Sequence, residues 1–222
     1  MGFSNRWGLV LSSVLLWSSI ASAQNRSSQV TVLVINSAGV ATAVLRQAER
    51  EAGRVFDAAG VEIQWVNCGE THQCQSIPGP TEFMLHIVPS GNTRSDFVFG
   101  EAFLGVDGRG QYCDVFFDRL RQAQGAVDLA LLLGDVSAHE LGHLLLGSNS
   151  HSSFGIMQPR WGAEGLRRLG MGMLLFTREE ARSMRSRIGG ETVRASSFGS
   201  QNWRTGDRFH TFNREELWAE RF

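Results

Sequence analysis

The stretch that most limits what this chain can become runs from Asp128 to Gly147. It is almost unbroken apolar sequence, interrupted by Asp135, Ser137, His139, Glu140 and His143. Asp128 suits a helix N-cap and Gly147 suits a left-handed stop, so the interval predicts one long helix ending at Leu146. Apolar residues on nearly every side predict that it is buried. Polar groups on a buried helix need partners, since burying them unpaired is costly. Residues four apart share a helix face, which places His139 and His143 to hold one metal ion between them. Glu140, one residue on, is near enough to act on a water at that ion without being a ligand.

His139-Glu140-x-x-His143 is similar to the H-E-x-x-H motif of zinc hydrolases. Gly147, His151 and Gly155-Ile156-Met157-Gln158-Pro159 follow. Helix, glycine turn, third histidine and methionine-bearing turn resemble the metzincin clan of zinc peptidases. The segment from His151-Ser152 to Met157-x-Pro159 looks most like the matrixin branch. The resemblance implies an α+β domain: a mixed twisted sheet with a backing helix, a buried active-site helix, a methionine turn and a closing helix. It also implies one zinc ion held by His139, His143 and His151 with a fourth position open to water, as catalytic zinc sites have. Glu140 would then be the general base, and Met157 an apolar floor that does not bind the metal.

The spacing departs from the clan. Its usual glycine and third-histidine positions hold Leu146 and Asn149 here, and both residues arrive later, at 147 and 151. One extra helical residue turns the exit by about 100°, so a longer loop has to bring His151 back. Asn149 and Glu164 compete for the third ligand place; a downstream glutamate closes the site in the other H-E-x-x-H clan. Asp135, one turn before His139, is a candidate acceptor for that histidine's other ring nitrogen. Pro159 stands where some metzincins carry a tyrosine, and the sole tyrosine, Tyr112, is far upstream.

Residues 1–23 read as a signal peptide: Arg6, an apolar core from Trp7 to Ile20, then Ala21-Ser-Ala23 for cleavage. The expected destination is secreted or periplasmic. Residues 24–190 are expected to form one catalytic domain, and 191–222 a tail that is flexible or strapped over it. The first strand-like run starts so soon after Ala23 that no inhibitory pro-segment is expected. Basic and acidic residues nearly balance (21 against 22, net −1), leaving no electrostatic footprint for nucleic acid or acidic lipid. All the basic residues are arginine, a composition bias and not a binding signal. No segment after the signal reads as a membrane anchor, and a monomer is expected.

Cys68 and Cys74 flank a short polar loop and are the expected disulfide, leaving Cys113 as a buried thiol. Cys68, His72 and Cys74 as a second zinc site lack a fourth ligand. Val30–Ile35 reads as a first strand, Thr42–Ala59 as an amphipathic helix and Val61–Val66 as a second strand, paired in parallel. Glu82–Val88 is a third strand, with His86 an ordinary core or surface histidine. Phe97–Leu104 and Tyr112–Phe117 are strands around a glycine-rich turn, the former an edge on which an extended substrate would pair. Asp107, Asp114 and Asp118 read as solvated loop acids in preference to a structural calcium (Ca2+) site. Gly162–Gly172 reads as an irregular connection, and Thr177-Arg-Glu-Glu180 as a capping-box start for a helix to Ile188.

These readings converge on an exported zinc metalloendopeptidase acting on peptide or protein substrates. Two alternatives differ in kind: a secreted binding domain in which zinc only staples the fold, and a zinc amidase acting on a non-protein amide. Glu140 weighs against the staple, which has no use for a base.

Overall fold

The computed structural model describes residues 28–69, 74, 78–91, 98–123 and 127–199. Residues 1–27, which include the expected signal peptide, His72 and residues 200–222 lie outside them. Strand β1 (Ser28–Asn36), helix α1 (Thr42–Ala58) and strand β2 (Val61–Cys68) form the expected parallel unit, with Val32 opposite Trp65. Strand β3 (Glu82–Val88) pairs in parallel on the other side of β1, and β5 (Tyr112–Phe116) in parallel on β3. Strand β4 (Gly100–Phe103) runs antiparallel to β5 and closes the sheet order β2-β1-β3-β5-β4. The molecule is therefore a mixed α+β fold with a short edge strand where an edge was expected.

Strand alternation decides where the core sits. Phe83, Leu85 and Ile87 of β3 are buried, while Met84, His86 and Val88 between them are only partly so. The buried side faces α1 and helix α3 (Leu129–Leu146). Leu45, Ala48, Ala52, Val55 and Phe56 make the inner stripe of α1, and each turn of such a stripe repeats the contact. The Asp128 carboxylate caps α3, accepting from the backbone N–H groups of Ala130 (2.9 Å) and Leu131 (3.2 Å). Gly147 ends it at φ 65°, a conformation that costs glycine nothing.

Four local expectations change. Helix α3 has both the length and the mean hydropathy (1.3) of a membrane span, which no segment after the signal was expected to have; it is the domain's core helix, mostly buried. Phe117 opens a short helix α2 (Phe117–Ala123) instead of ending β5; with only Leu120 buried, the helix leaves no readable period. The glycine-laced connection contains helix α4 (Ala163–Gly170), anchored by buried Leu169. The closing helix α5 (Arg178–Gly199) runs straight through Gly189 and Gly190, although each interior glycine costs about 1 kcal/mol of helix propensity. Its start is the predicted capping box: Glu180 accepts from the Thr177 N–H (2.7 Å), and the Thr177 hydroxyl from the Glu180 N–H (3.2 Å). Cys68 and Cys74 are joined as a disulfide, and Cys113 is free and buried.

Candidate metal centre

Helix α3 presents His139 and His143 one turn apart, with ring centroids 4.8 Å from each other. The His151 ring lies 5.4 Å from that of His139 and 4.9 Å from that of His143. One potential ligand atom from each of the three lies within 4.8 Å of the others, the one such group of histidine, cysteine or acidic residues among the described residues. The late third histidine is thus brought back by its loop. After Gly147 turns the chain, Ser152 N–H donates to the Met157 carbonyl (2.8 Å), and Ile156 N–H to the Leu175 carbonyl (3.0 Å).

Backbone carbonyls fix the two helical rings. His139 Nδ1 donates to the Ile156 carbonyl and His143 Nδ1 to the Ser148 carbonyl, each at 2.8 Å. A carbonyl only accepts, so both Nδ1 atoms carry the proton and both Nε2 atoms are left with bare lone pairs. Those Nε2 atoms stand 3.1 Å apart. Neither can donate to the other, so a cation between them is what the arrangement needs. Burial first, then the neighbouring histidines, lowers the His139 pKa to about 4; burial lowers those of His143 and His151 too. A shared proton at neutral pH is therefore disfavoured. Two zinc–nitrogen bonds of about 2.1 Å at a tetrahedral angle separate their nitrogens by about 3.4 Å, close to the spacing present. The donor set fits zinc.

Glu140 occupies a slot beside β4. It is 6 % exposed, and burial first, then Glu101, raises its pKa to about 8. A neighbouring cation is the charge that would return this carboxyl to its ionised form. The slot exists because residue 100 is glycine. A Cβ there would lie 2.6 Å from Glu140 Cγ, 2.7 Å from its Oε1 and 2.7 Å from the Asp114 carbonyl. Gly100→Ala should displace the carboxylate and cut activity at least tenfold while bound zinc stays unchanged; steady-state kinetics beside metal analysis check it. Met157 is fully buried, its Sδ 2.8 Å from where a Cβ on Gly142 would sit.

The fold itself is shared with proteins already solved. No family model matches the sequence, and no curated protein matches it. A zinc-dependent peptidase from Methanocorpusculum labreanum (strain Z) superposes with a TM-score of 0.51 at 15% identity, covering 69% of this chain and 99% of its own. Archaemetzincin from Methanopyrus kandleri gives 0.48 at 16% identity, covering 74% and 98%. The first of these likenesses establishes a common fold.

Other expected participants fall elsewhere. Asp135 does not meet His139, whose Nδ1 is taken by Ile156; both its oxygens are buried without a hydrogen-bond partner. Helical residues four apart point the same way, but the Ile156 carbonyl reaches the ring first. Glu164 sits on α4, fully paired with Arg167 (2.7 and 2.8 Å), and does not join the histidines. Asp118 lies near Arg121 and Asp107 near Arg109, while Asp114 faces His86.

Three contributors carried no sequence signal as site residues. The Trp161 ring packs edge-on to His139 (5.8 Å), and its Nε1 donates to the same Ile156 carbonyl (3.1 Å). The Ser148 carbonyl is backbone and leaves no trace in residue type. Glu180, legible as a cap, also accepts from the Ser152 hydroxyl, tying the loop after His151 to α5. Glu180→Ala should weaken zinc binding about 10- to 100-fold, read by competition with a chromogenic chelator.

Proposed function

We propose that this chain is an exported zinc metalloendopeptidase of metzincin-like type, with a matrixin-like segment from His151 to Pro159. The observation that carries the reading is the convergence of His139, His143 and His151 with Glu140 buried beside them. His139, His143 and His151 would hold the ion, the Nδ1 partners of the first two setting how those rings meet it. Zinc, when bound, supplies Lewis acidity toward water and toward the scissile carbonyl. Glu140 takes the proton of the attacking water and returns it to the leaving amine nitrogen.

The surroundings suit an extended chain. A cleft of about 750 Å³ opens over the histidines, lined by Phe99, Glu101 and Ala102 on one side and Trp161 and Leu166 on the other. Strand β4 pairs only with β5 among the described residues, so its outer edge can hydrogen-bond a peptide backbone. The fold relative named a zinc-dependent peptidase supports the same reaction class. The Cys68–Cys74 disulfide supports an oxidising compartment, consistent with the signal-like residues 1–23.

Residues 24–222, purified with zinc, should cleave casein or members of a peptide library, lose that activity to a chelator and regain it on zinc addition. His151→Ala should lower zinc occupancy sharply. Zinc-loaded protein inert toward peptides would defeat the reading; cleavage confined to cell-wall amides would give the site to the amidase alternative.

A further inference from the structure

His86 and Asp114, which the metal centre does not use, meet on the face of the sheet opposite α3. Strands β1, β3 and β5 lie side by side and parallel, with Ile35 opposite His86 and His86 opposite Asp114. The Ser37 hydroxyl, just beyond the end of β1, is 2.7 Å from His86 Nε2. On the other side of the ring, Asp114 Oδ1 stands 3.3 Å from Nδ1. That oxygen is buried and has no hydrogen-bond partner of its own. The Tyr112 hydroxyl also reaches Nδ1, at 3.0 Å. In the tautomer that donates Nδ1–H to the Tyr112 hydroxyl, Nε2 accepts from Ser37, and the Asp114 carboxylate beside Nδ1 adds its charge without a hydrogen bond.

Ser37, His86 and the Tyr112 hydroxyl thus stand as a nucleophile, a base and a group that orients the base, with the Asp114 charge beside them, an arrangement recognised by geometry and roles and not by chain order. Ser37 sits in a strand–turn–helix connection, the setting in which α/β hydrolases expose a nucleophilic serine. The turn is held from both sides. Asn36 Nδ2 donates to the Val40 carbonyl (2.8 Å) and Val40 N–H to Asn36 Oδ1 (2.9 Å), while Ala38 N–H donates to the Ile87 carbonyl (2.9 Å) beside His86. Ser37 is exposed, and an added Cβ on Gly39 would meet nothing within 4 Å. An acyl group can therefore approach.

We propose that Ser37, His86 and Asp114 form a second, metal-independent acyl-transfer site that takes small activated carboxylic esters. Ser37 Oγ bonds to the acyl carbon as its proton passes to His86 Nε2; the Tyr112 hydroxyl accepts the Nδ1–H of the imidazolium, and the Asp114 carboxylate beside it offsets the charge. The bond from acyl carbon to the leaving oxygen breaks, and the departing alcohol takes the Nε2 proton. Water then repeats the two steps on the acyl-serine and releases the carboxylic acid. None of this passes through the histidines of the zinc site, so the proposal stands or falls separately from the peptidase reading.

The test uses the full zinc-loaded chain carrying Glu140→Gln, so that the other centre is silent. A fluorophosphonate probe should attach once per chain, at Ser37, with loss of fluoride, at least a hundredfold faster than at any other serine. p-Nitrophenyl acetate hydrolysis should persist in this background and vanish with Ser37→Ala, an exposed change that leaves folding intact. His86→Gln should slow labelling at least a hundredfold and Asp114→Asn at least tenfold, with unchanged circular dichroism. Asp114→Asn provides the same comparison where His86→Gln does not fold. Labelling of Ser37 no faster than that of other serines, or a rate indifferent to both His86→Gln and Asp114→Asn, overturns the assignment.

Discussion

Glu140→Gln is expected to lower kcat/KM on a peptide substrate by about 10²- to 10⁴-fold while zinc stays near one ion per chain. The side chain keeps its size, so the slot against Gly100 remains filled. The amide cannot take a proton from water, which removes the base and nothing else. Ring positions should not change, because His139 and His143 are held by Ile156 and Ser148 and not by Glu140. Folding stability should hold or rise, since a buried carboxyl with a raised pKa is replaced by a neutral group. Metal analysis, thermal melting and kinetics on one preparation check all three statements. Unchanged kcat/KM would remove Glu140 from the chemistry, and lost zinc would make it part of the ligand set.

What the sequence disclosed here follows how local each signal is. Asp128, Gly147 and Thr177 with Glu180 act within a single turn of backbone, so their roles could be read from residue type and spacing. The pairing of His139 with His143 is likewise a property of one helix. The partners of those rings are backbone carbonyls, and any residue supplies a carbonyl. Gly100 looks like loop glycine until β4 is laid against α3. Helix α4 hides because Gly162, Gly165 and Gly170 break the pattern that Leu166 and Leu169 begin. Ser37 and Asp114 reach His86 only through the parallel register of three strands, which no short window of sequence contains.

Asp135 gives the second large effect, one of stability and not of catalysis. It is fully buried between α3 and α1, with both carboxylate oxygens unpartnered. Burial first, then the nearby Glu51, raises its pKa to about 8; Arg54 opposes this only in part. Arg54 is committed to Glu51, donating to its two oxygens at 3.0 and 2.6 Å. In the unfolded chain an aspartate titrates near about 3.9. Between these values the folded state holds a proton that the unfolded state has released, so unfolding stability must fall as pH rises through that window. At about 1.4 kcal/mol per pH unit the loss is on the order of 5 kcal/mol from pH ~4 to ~8. Asp135→Asn, neutral throughout, should match wild type near pH 4 and exceed it increasingly toward pH 8. Zinc retention by histidines strengthens with pH and slopes the other way, so the informative quantity is the difference between the two proteins at equal zinc. Urea midpoints at several pH values supply it. Parallel curves would mean that Asp135 is ionised in the folded protein and has a partner.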